Sequence, residues 1–238
     1  MEVKNLVVIA AMEQEALAVF PGAQKKSFGR FDMMAGTLAN GVSFRCIVSG
    51  IGIKRAAEAA AAVCAEKPDL LLSIGVSGGL VPGLCAGTTV TATSIVSDIS
   101  DIPSWRENAA DEAAREALLP ACGEFACGPL VTVQSPVLTP DEKQTLYERT
   151  GALAADMESV VVANTAVAAG IPFACIRAIS DDWSRAVPSE AMEGVDEEGR
   201  TRIRPILKAL LKRPGLVFEL IPMGRDYSKA LKALGSIF

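Results

Sequence analysis

Residues 152–181 read ALAADMESVVVANTAVAAGIPFACIRAISD, and this stretch decides the fold class. Positions 152–155 are a short apolar run of strand length, 158–169 have the length of a helix, and 173–180 form a second apolar strand. The same alternation extends in both directions. Strands are expected at 6–11, 69–76, 88–95 and 129–133. Helices are expected at 13–20, 54–66, 109–119 and 140–149, the last with Thr139 as its N-cap. Positions 33–39 and 42–49 read as a hairpin turning at Asn40-Gly41, and 202–212 and 215–234 as helices broken at Pro214. Strand, helix, strand, repeated, implies an α/β three-layer sandwich: a mixed, mostly parallel central sheet flanked by helices.

The 238 residues suffice for one large domain or two small ones. Half are apolar and 21% are charged, with 20 glycines and 13 prolines, which excludes collagen-like and disordered classes. Aromatics are only 5%, so the core rests on Ala, Val, Ile and Leu. There is no histidine, which removes Ser-His-Asp and Cys-His nucleophile systems and any His-based zinc site. Acid–base chemistry is left to carboxylates, Lys, Tyr, Cys or water, and neither a metal nor a cofactor is expected. The six cysteines (46, 64, 85, 122, 127 and 175) form no CxxC pair and read as buried, reduced thiols. The apolar run 6–12 meets Glu13 and Glu15 at once, too short for a membrane span and wrongly flanked for a signal peptide. A cytoplasmic protein is therefore expected. The net charge of −5 argues against general nucleic-acid binding.

In open α/β sheets ligands bind beyond the carboxyl ends of the strands. The residues following the expected strands are Glu13 and Glu15, then Gly75-Val76-Ser77-Gly78-Gly79, then Met157-Glu158, then Ser180-Asp181-Asp182. The glycine stretch has neither the spacing of a dinucleotide fingerprint nor the Lys-Ser/Thr of a P-loop. It reads as a turn, either a plain tight one or one whose glycines admit close approach of a ligand. Ser49-Gly50-Ile51-Gly52 is a second glycine turn leading into a helix. A lone acid at a strand end is more often a helix cap than a catalyst. Three acid clusters, brought together by one sheet, suit cleavage of a C–N or C–O acetal bond.

Five motifs in order carry a family likeness: Ala10-Ala11-Met12-Glu13-Gln14-Glu15, Ser49-Gly50-Ile51-Gly52, Gly75-Val76-Ser77-Gly78-Gly79-Leu80, Asp156-Met157-Glu158-Ser159 and Arg177-Ala178-Ile179-Ser180-Asp181. Over about residues 5–185 the chain resembles the nucleoside phosphorylase superfamily, in particular its methylthioadenosine/S-adenosylhomocysteine nucleosidase branch. The stretch from Gln134 to Ser159, with Leu211-Lys212-Arg213-Pro214-Gly215, is similar to hopanoid-associated nucleosidases, which release adenine from adenosylhopane. The resemblance implies that Asp181 protonates purine N7 with help from Ser180. It further implies that Glu158 grips the ribose hydroxyls, Met157 packs on the sugar, and Glu15 positions the attacking water. Val137 would hold the adenine edge through its backbone, and Ser77 and Gly78 would lie in a loop beneath the ribose. A small-molecule nucleoside substrate and a homodimer are implied as well. An acid donor must keep its proton near neutral pH, so Asp181 needs burial or a second acid; Asp182 could supply that charge or could equally be a solvated bystander.

Departures from the pattern matter too. Val76 replaces a small polar residue, and Ser73 stands where phosphorolytic relatives carry an arginine. The first strand leads into acids rather than a phosphate-binding arginine. Carboxylates present and cations missing favour water over phosphate as nucleophile, with Arg45, Lys54 and Arg55 the nearby exceptions. Phosphorolysis of purine nucleosides and futalosine-type hydrolysis are the enzymatic rivals. Nucleoside binding without turnover is disfavoured by intact Glu15, Glu158 and Asp181.

The chain divides by charge at about residue 200. Residues 201–238 carry eight Lys/Arg and two Asp/Glu, a balance of +6 that leaves −11 on residues 1–200. Ile203, Ile206, Leu207, Leu210 and Leu211 fall on one helical face, with Arg202, Arg204, Lys208, Lys212 and Arg213 around them. We therefore expect a nucleoside phosphorylase-like catalytic domain, 1–200, and a basic amphipathic extension, 201–238, packed on or next to it. The extension is either ordinary structure or a surface for peripheral contact with the inner face of an anionic membrane.

Overall fold

The computed structural model describes residues 3–118, 125–192, 196 and 203–238. Its elements, in chain order, are β1 (Asn5–Ala10), α1 (Glu13–Val19), β2 (Gln24–Phe28), β3 (Phe31–Thr37), β4 (Ser43–Val48), α2 (Ile53–Cys64) and β5 (Leu70–Gly79). There follow β6 (Thr89–Ser97), β7 (Trp105–Arg106), α3 (Ala109–Leu118), β8 (Ala126–Thr132), α4 (Pro140–Thr150), β9 (Ala154–Asp156) and α5 (Ser159–Ala169). The chain closes with β10 (Phe173–Asp181), α6 (Ser189–Met192), α7 (Ile203–Lys212), a 3-10 turn at Pro214–Leu216, and α8 (Val217–Leu234).

The strands form one mixed sheet in the order β10-β6-β8-β9-β5-β1-β4-β3-β2, with helices on both faces, as the alternating pattern predicts. Its long central pairings are parallel: β1 with β4 and β5, β10 with β5, and β6 with β8. The β3–β4 hairpin turns where Asn40-Gly41 predicts. On α4, Thr139 is the N-cap, its hydroxyl accepting from Glu142 N while the Glu142 carboxylate accepts from Thr139 N.

Three features lie beyond the sequence reading. β10 pairs with β5 as well as β6, so β5, β10, β6, β8 and β9 close into a ring. β2, the polar segment Gln24–Phe28, joins the edge with nearly every side chain exposed, so it has no apolar alternation to announce it. The stretch from Gly75 to Gly79 is not a turn. It completes β5, pairing with β10 through Gly78 and with β9 at Gly78 and Gly79. Its glycines serve close approach of a different kind. A Cβ on Gly75 would stand 2.9 Å from Glu15 Oε1, and one on Gly78 would stand 3.2 Å from Asp181 Oδ2.

Two large cores cover the faces of the sheet, and a smaller one lies beneath α4. One buries Ala56, Ala60 and Val63 of α2 with Val160 and Ala163 of α5. The other packs Ala16, Val19 and Phe20 against Leu6, Val8 and Leu72, and includes Ala230 and Leu234 of α8 with Ile237. α8 therefore rests on the sheet beside α1. Of the expected amphipathic face, Arg202 and the side chains of Ile203, Arg204 and Leu207 lie outside the described residues. Ala209 is buried, whereas Leu211 is 85% exposed and Phe218 80%. Among the described residues no helix is long and apolar enough to cross a membrane.

Candidate functional site

The turn after β1 places Glu15 in the first turn of α1, with its carboxylate against the backbone of β5. Oε1 accepts from Val76 N at 2.9 Å and Oε2 from Met12 N at 2.8 Å. Glu15 is only 2% exposed, and burial raises its pKa against the lowering effect of those amide bonds. Glu13, its neighbour, faces outward and pairs with Lys25.

Glu158 enters from the end of β9. Its Oε1 accepts from Gly52 N at 2.8 Å, across the start of α2. Gly52 holds a φ of +93°, which L residues rarely adopt, and this turns its amide toward the carboxylate. Burial, and then the nearby Asp156 carboxylate, push the pKa of Glu158 up to about 7 from an ordinary 4.5. Folded protein thus keeps a proton that the unfolded chain releases above about pH 4.5, so stability falls from there to about pH 7 and then levels. Glu158→Gln keeps the acceptor and removes the titration. We expect it to match the wild type below pH 4.5 and to exceed it by about 3 kcal/mol at pH 8. Urea unfolding at the two pH values measures this, and equal pH slopes for both proteins contradict it.

Asp156, by contrast, is structural. It is buried at the end of β9 and accepts from Thr132 Oγ1 at 2.7 Å, from the Ser159 hydroxyl, and from Arg177 Nε at 2.9 Å. Arg177, on β10, is itself 2% exposed. Its Nη2 donates to Ser73 Oγ (2.9 Å) and Ser159 Oγ (2.7 Å), and its Nη1 to Ile176 O (3.0 Å). The sequence reading passed over Arg177, although it stands within a quoted motif. A buried arginine between acids is the signal available there. Ser73, where an arginine was noted as missing, is the residue this guanidinium reaches.

Glu15, Glu158 and Arg177, with Ser49, Ser73, Gly75 and Val76, enclose a cavity of about 10 Å³, the space of about one water. Ser77 lies next along β5, buried, and its Oγ lacks a hydrogen-bond partner among the described residues. Tyr227 of α8 places its hydroxyl 3.9 Å from Met12 Sδ. Burial, and secondarily the charge of Glu15, raise its pKa. A much larger groove of about 1030 Å³ lies around Phe20, Phe44 and Phe238 at the far edge of the sheet, and shares no residue with these carboxylates.

Asp181 ends β10 in register with Gly78. Its Oδ1 lies 2.7 Å from Ser180 Oγ, which is also 3.2 Å from Ser77 O. Asp182 does not supply a second acid beside it: its carboxylate turns away to the amide and hydroxyl of Ser184, at 2.9 and 2.7 Å. Asp181 Oδ2 instead receives Lys143 Nζ at 2.5 Å. Two-residue turns favour such local bonds, so Asp182 satisfies its own chain before reaching Asp181. Met157 and Val137 pack on one small core with Leu80, Val131 and Leu146, bringing those two expected contacts together. Arg45 is paired with Glu66. Among the described residues, no group of three or more Cys, Asp or Glu side chains is arranged to hold a metal.

Comparison with known proteins agrees with this architecture. The profile of the Phosphorylase superfamily matches residues 5–212. The 5'-methylthioadenosine/S-adenosylhomocysteine nucleosidase of Maridesulfovibrio salexigens is 27% identical over 232 residues, spanning 85% of this chain and 98% of that protein. The protein of the same name from Shewanella sp. strain MR-7 is 29% identical over 203 residues, 76% of this chain and 85% of its own. Among solved structures, the Neisseria meningitidis nucleosidase in complex with methylthio-immucillin-A superposes with a TM-score of 0.66 at 23% identity, covering 99% of this chain and 98% of that one. A futalosine hydrolase mutant of Helicobacter pylori superposes at 0.68 with 18% identity, covering 99% and 98%. These two likenesses bear on the fold.

Proposed function

The chain belongs to the Phosphorylase superfamily, and from that premise we propose that it hydrolyses the N-glycosidic bond of a 5′-modified adenosine, releasing adenine. One observation carries the reading: three acids that follow strands each meet a glycine or amide of β5 or the start of α2, Glu15 at Gly75 and Val76, Asp181 at Gly78 and Glu158 at Gly52. Breaking the bond leaves positive charge on the ribose and negative charge on the departing base. Asp181 protonates the base at N7, with Ser180 beside it. Glu158 takes the ribose hydroxyls and Glu15 orients the water, their carboxylates stabilising the oxocarbenium-like sugar. Met157 packs on the sugar, and Val137 holds the adenine edge.

Water rather than phosphate is the nucleophile in this reading. Two acids, Glu15 and Glu158, line the cavity and oppose a dianion. Arg177, the cation on its wall, is engaged by Asp156 and two serines. The 5′ group is lipid-linked, of the adenosylhopane type, in the finer form of the proposal. Its support is the likeness noted in the sequence and the corner where α7 meets α8. That corner exposes Leu211, Phe218 and Ile221 next to Lys208 and Lys212, a composition suited to peripheral contact with an anionic membrane. A homodimer is proposed on the resemblance alone.

The test is incubation with methylthioadenosine, S-adenosylhomocysteine, futalosine, inosine and an adenosyl-lipid, each with and without phosphate. We expect free adenine and free sugar, at equal rates in phosphate-free buffer, with the adenosyl-lipid preferred. A sugar 1-phosphate formed at a rate that tracks phosphate replaces hydrolysis with phosphorolysis. Preference for methylthioadenosine removes the lipid-linked form alone.

A further inference from the structure

Lys143 is 0% exposed, although it sits on α4 between residues that face solvent on either side. Burying a lysine is costly unless its charge is matched. Here Nζ donates to Asp181 Oδ2 at 2.5 Å, to Asp182 O at 2.7 Å and to Arg185 O at 3.1 Å. An ammonium has three N–H donors and a neutral amine has two. Three acceptors therefore hold the cation.

The other carboxylate oxygen is served differently. Ser180 has one hydroxyl proton and two acceptors within reach, Asp181 Oδ1 and Ser77 O. While Asp181 is ionised, Ser180 donates to Oδ1. Once Oδ1 is protonated, it donates to Ser180 Oγ, and Ser180 turns to Ser77 O. A proton can reside on Oδ1 with every hydrogen bond kept, and Oδ2 stays with Lys143 in both states.

We propose that Lys143 is a positioning residue for the acid Asp181, holding Oδ2 so that Oδ1 delivers the proton and stabilising the carboxylate that delivery leaves behind. This rests on the hydrolytic reading above. In the step, the O–H bond at Oδ1 breaks and an N–H bond forms at N7 while the electron pair of the glycosidic bond passes to the base. Lys143 remains an ammonium throughout; water adds to C1′ of the ribosyl cation, and the proton it releases returns through solvent to Asp181 after adenine departs. For the protonated form that enters the step, the anion develops as the proton leaves, and stabilising it favours the transition state over that ground state. Of the charged residues that follow it in the chain, Asp182 is turned to Ser184, and Arg185 is paired at 2.9 Å with Asp226 of α8, which also binds Lys229.

Two variants test the proposal. Lys143→Met removes charge and donors, and Lys143→Gln keeps a donor without the charge, protecting the fold. In both, kcat is expected to fall about 10²-fold with KM little changed. The pH at which activity declines on the alkaline side is expected to move upward, because the uncompensated carboxyl holds its proton longer. Carboxyl ¹³C NMR of Asp-labelled protein, with the Asp181 signal identified by its loss in Asp181→Asn, should show Asp181 ionising at higher pH in Lys143→Gln than in the wild type. That readout needs no turnover, so failure of the hydrolytic reading stays distinguishable. An unshifted carboxyl titration, or a reduced kcat with an unmoved alkaline limb, overturns the proposal.

Discussion

Asp181→Asn should lower turnover by roughly 10²–10⁴-fold, the range for losing a positioned proton donor. The substitution is nearly isosteric. An amide oxygen can still accept from Lys143 Nζ, and the amide nitrogen can still meet Ser180 Oγ, so the end of β10 keeps its partners. What the amide cannot do is give up a proton to the departing base. The loss should therefore appear in kcat, and the affinity for an adenine nucleoside should weaken far less, because an interaction made only in the transition state has been removed. Calorimetric binding and steady-state kinetics on the same preparation measure the two effects. Near-normal turnover in a folded variant takes Asp181 out of the acid role.

Arg177→Met is expected to produce the largest loss of stability. Both members of the Arg177–Asp156 pair are almost wholly buried, with side chains 2% and 1% exposed, and their polar atoms also bind Ser73, Ser159, Thr132 and the backbone. Deleting the guanidinium leaves a carboxylate in the protein interior with no counter-charge. Breaking such a pair from one side costs about 3–5 kcal/mol. For a chain of this size that corresponds to a fall in Tm of roughly 10 °C. Most of the cost belongs to the stranded Asp156, so adding Asp156→Asn should recover a large part of it, in a clearly non-additive cycle. Urea unfolding of the four proteins at pH 7 gives the coupling. A single-variant loss below about 1 kcal/mol would mean that solvent reaches Asp156 despite its burial.

The strand–helix alternation, the Asn40-Gly41 hairpin and the Thr139 cap were legible in the sequence because each is a local property. Period, turn chemistry and capping act over a few residues, and tertiary packing only has to respect them. The strand ends carrying Glu15, Glu158 and Asp181 were legible for the same reason, since an apolar run that stops at an acid marks its own end. The glycines from 75 to 79 were misread as a turn because glycine signals freedom in isolation. Their use, leaving room on β5 for two carboxylates, depends on where α1 and β10 come to rest.

The sequence by itself determined the layered α/β class, through hydrophobic periodicity, and the absence of histidine excluded the nucleophile systems that need one. Only the tertiary structure decided which charges meet. Lys143 and Asp181 stand 38 residues apart and Asp156 and Arg177 stand 21 apart, and none announces its partner by spacing. Of the two readings of Asp182, the bystander fits, because its carboxylate is taken up by the amide and hydroxyl of Ser184. Lys143 of α4 reaches the end of β10, and Arg177 of β10 reaches Ser73 of β5, Asp156 of β9 and Ser159 of α5. Burial there makes each unmatched charge too costly to persist, so partners are set by the packed elements rather than by distance along the chain.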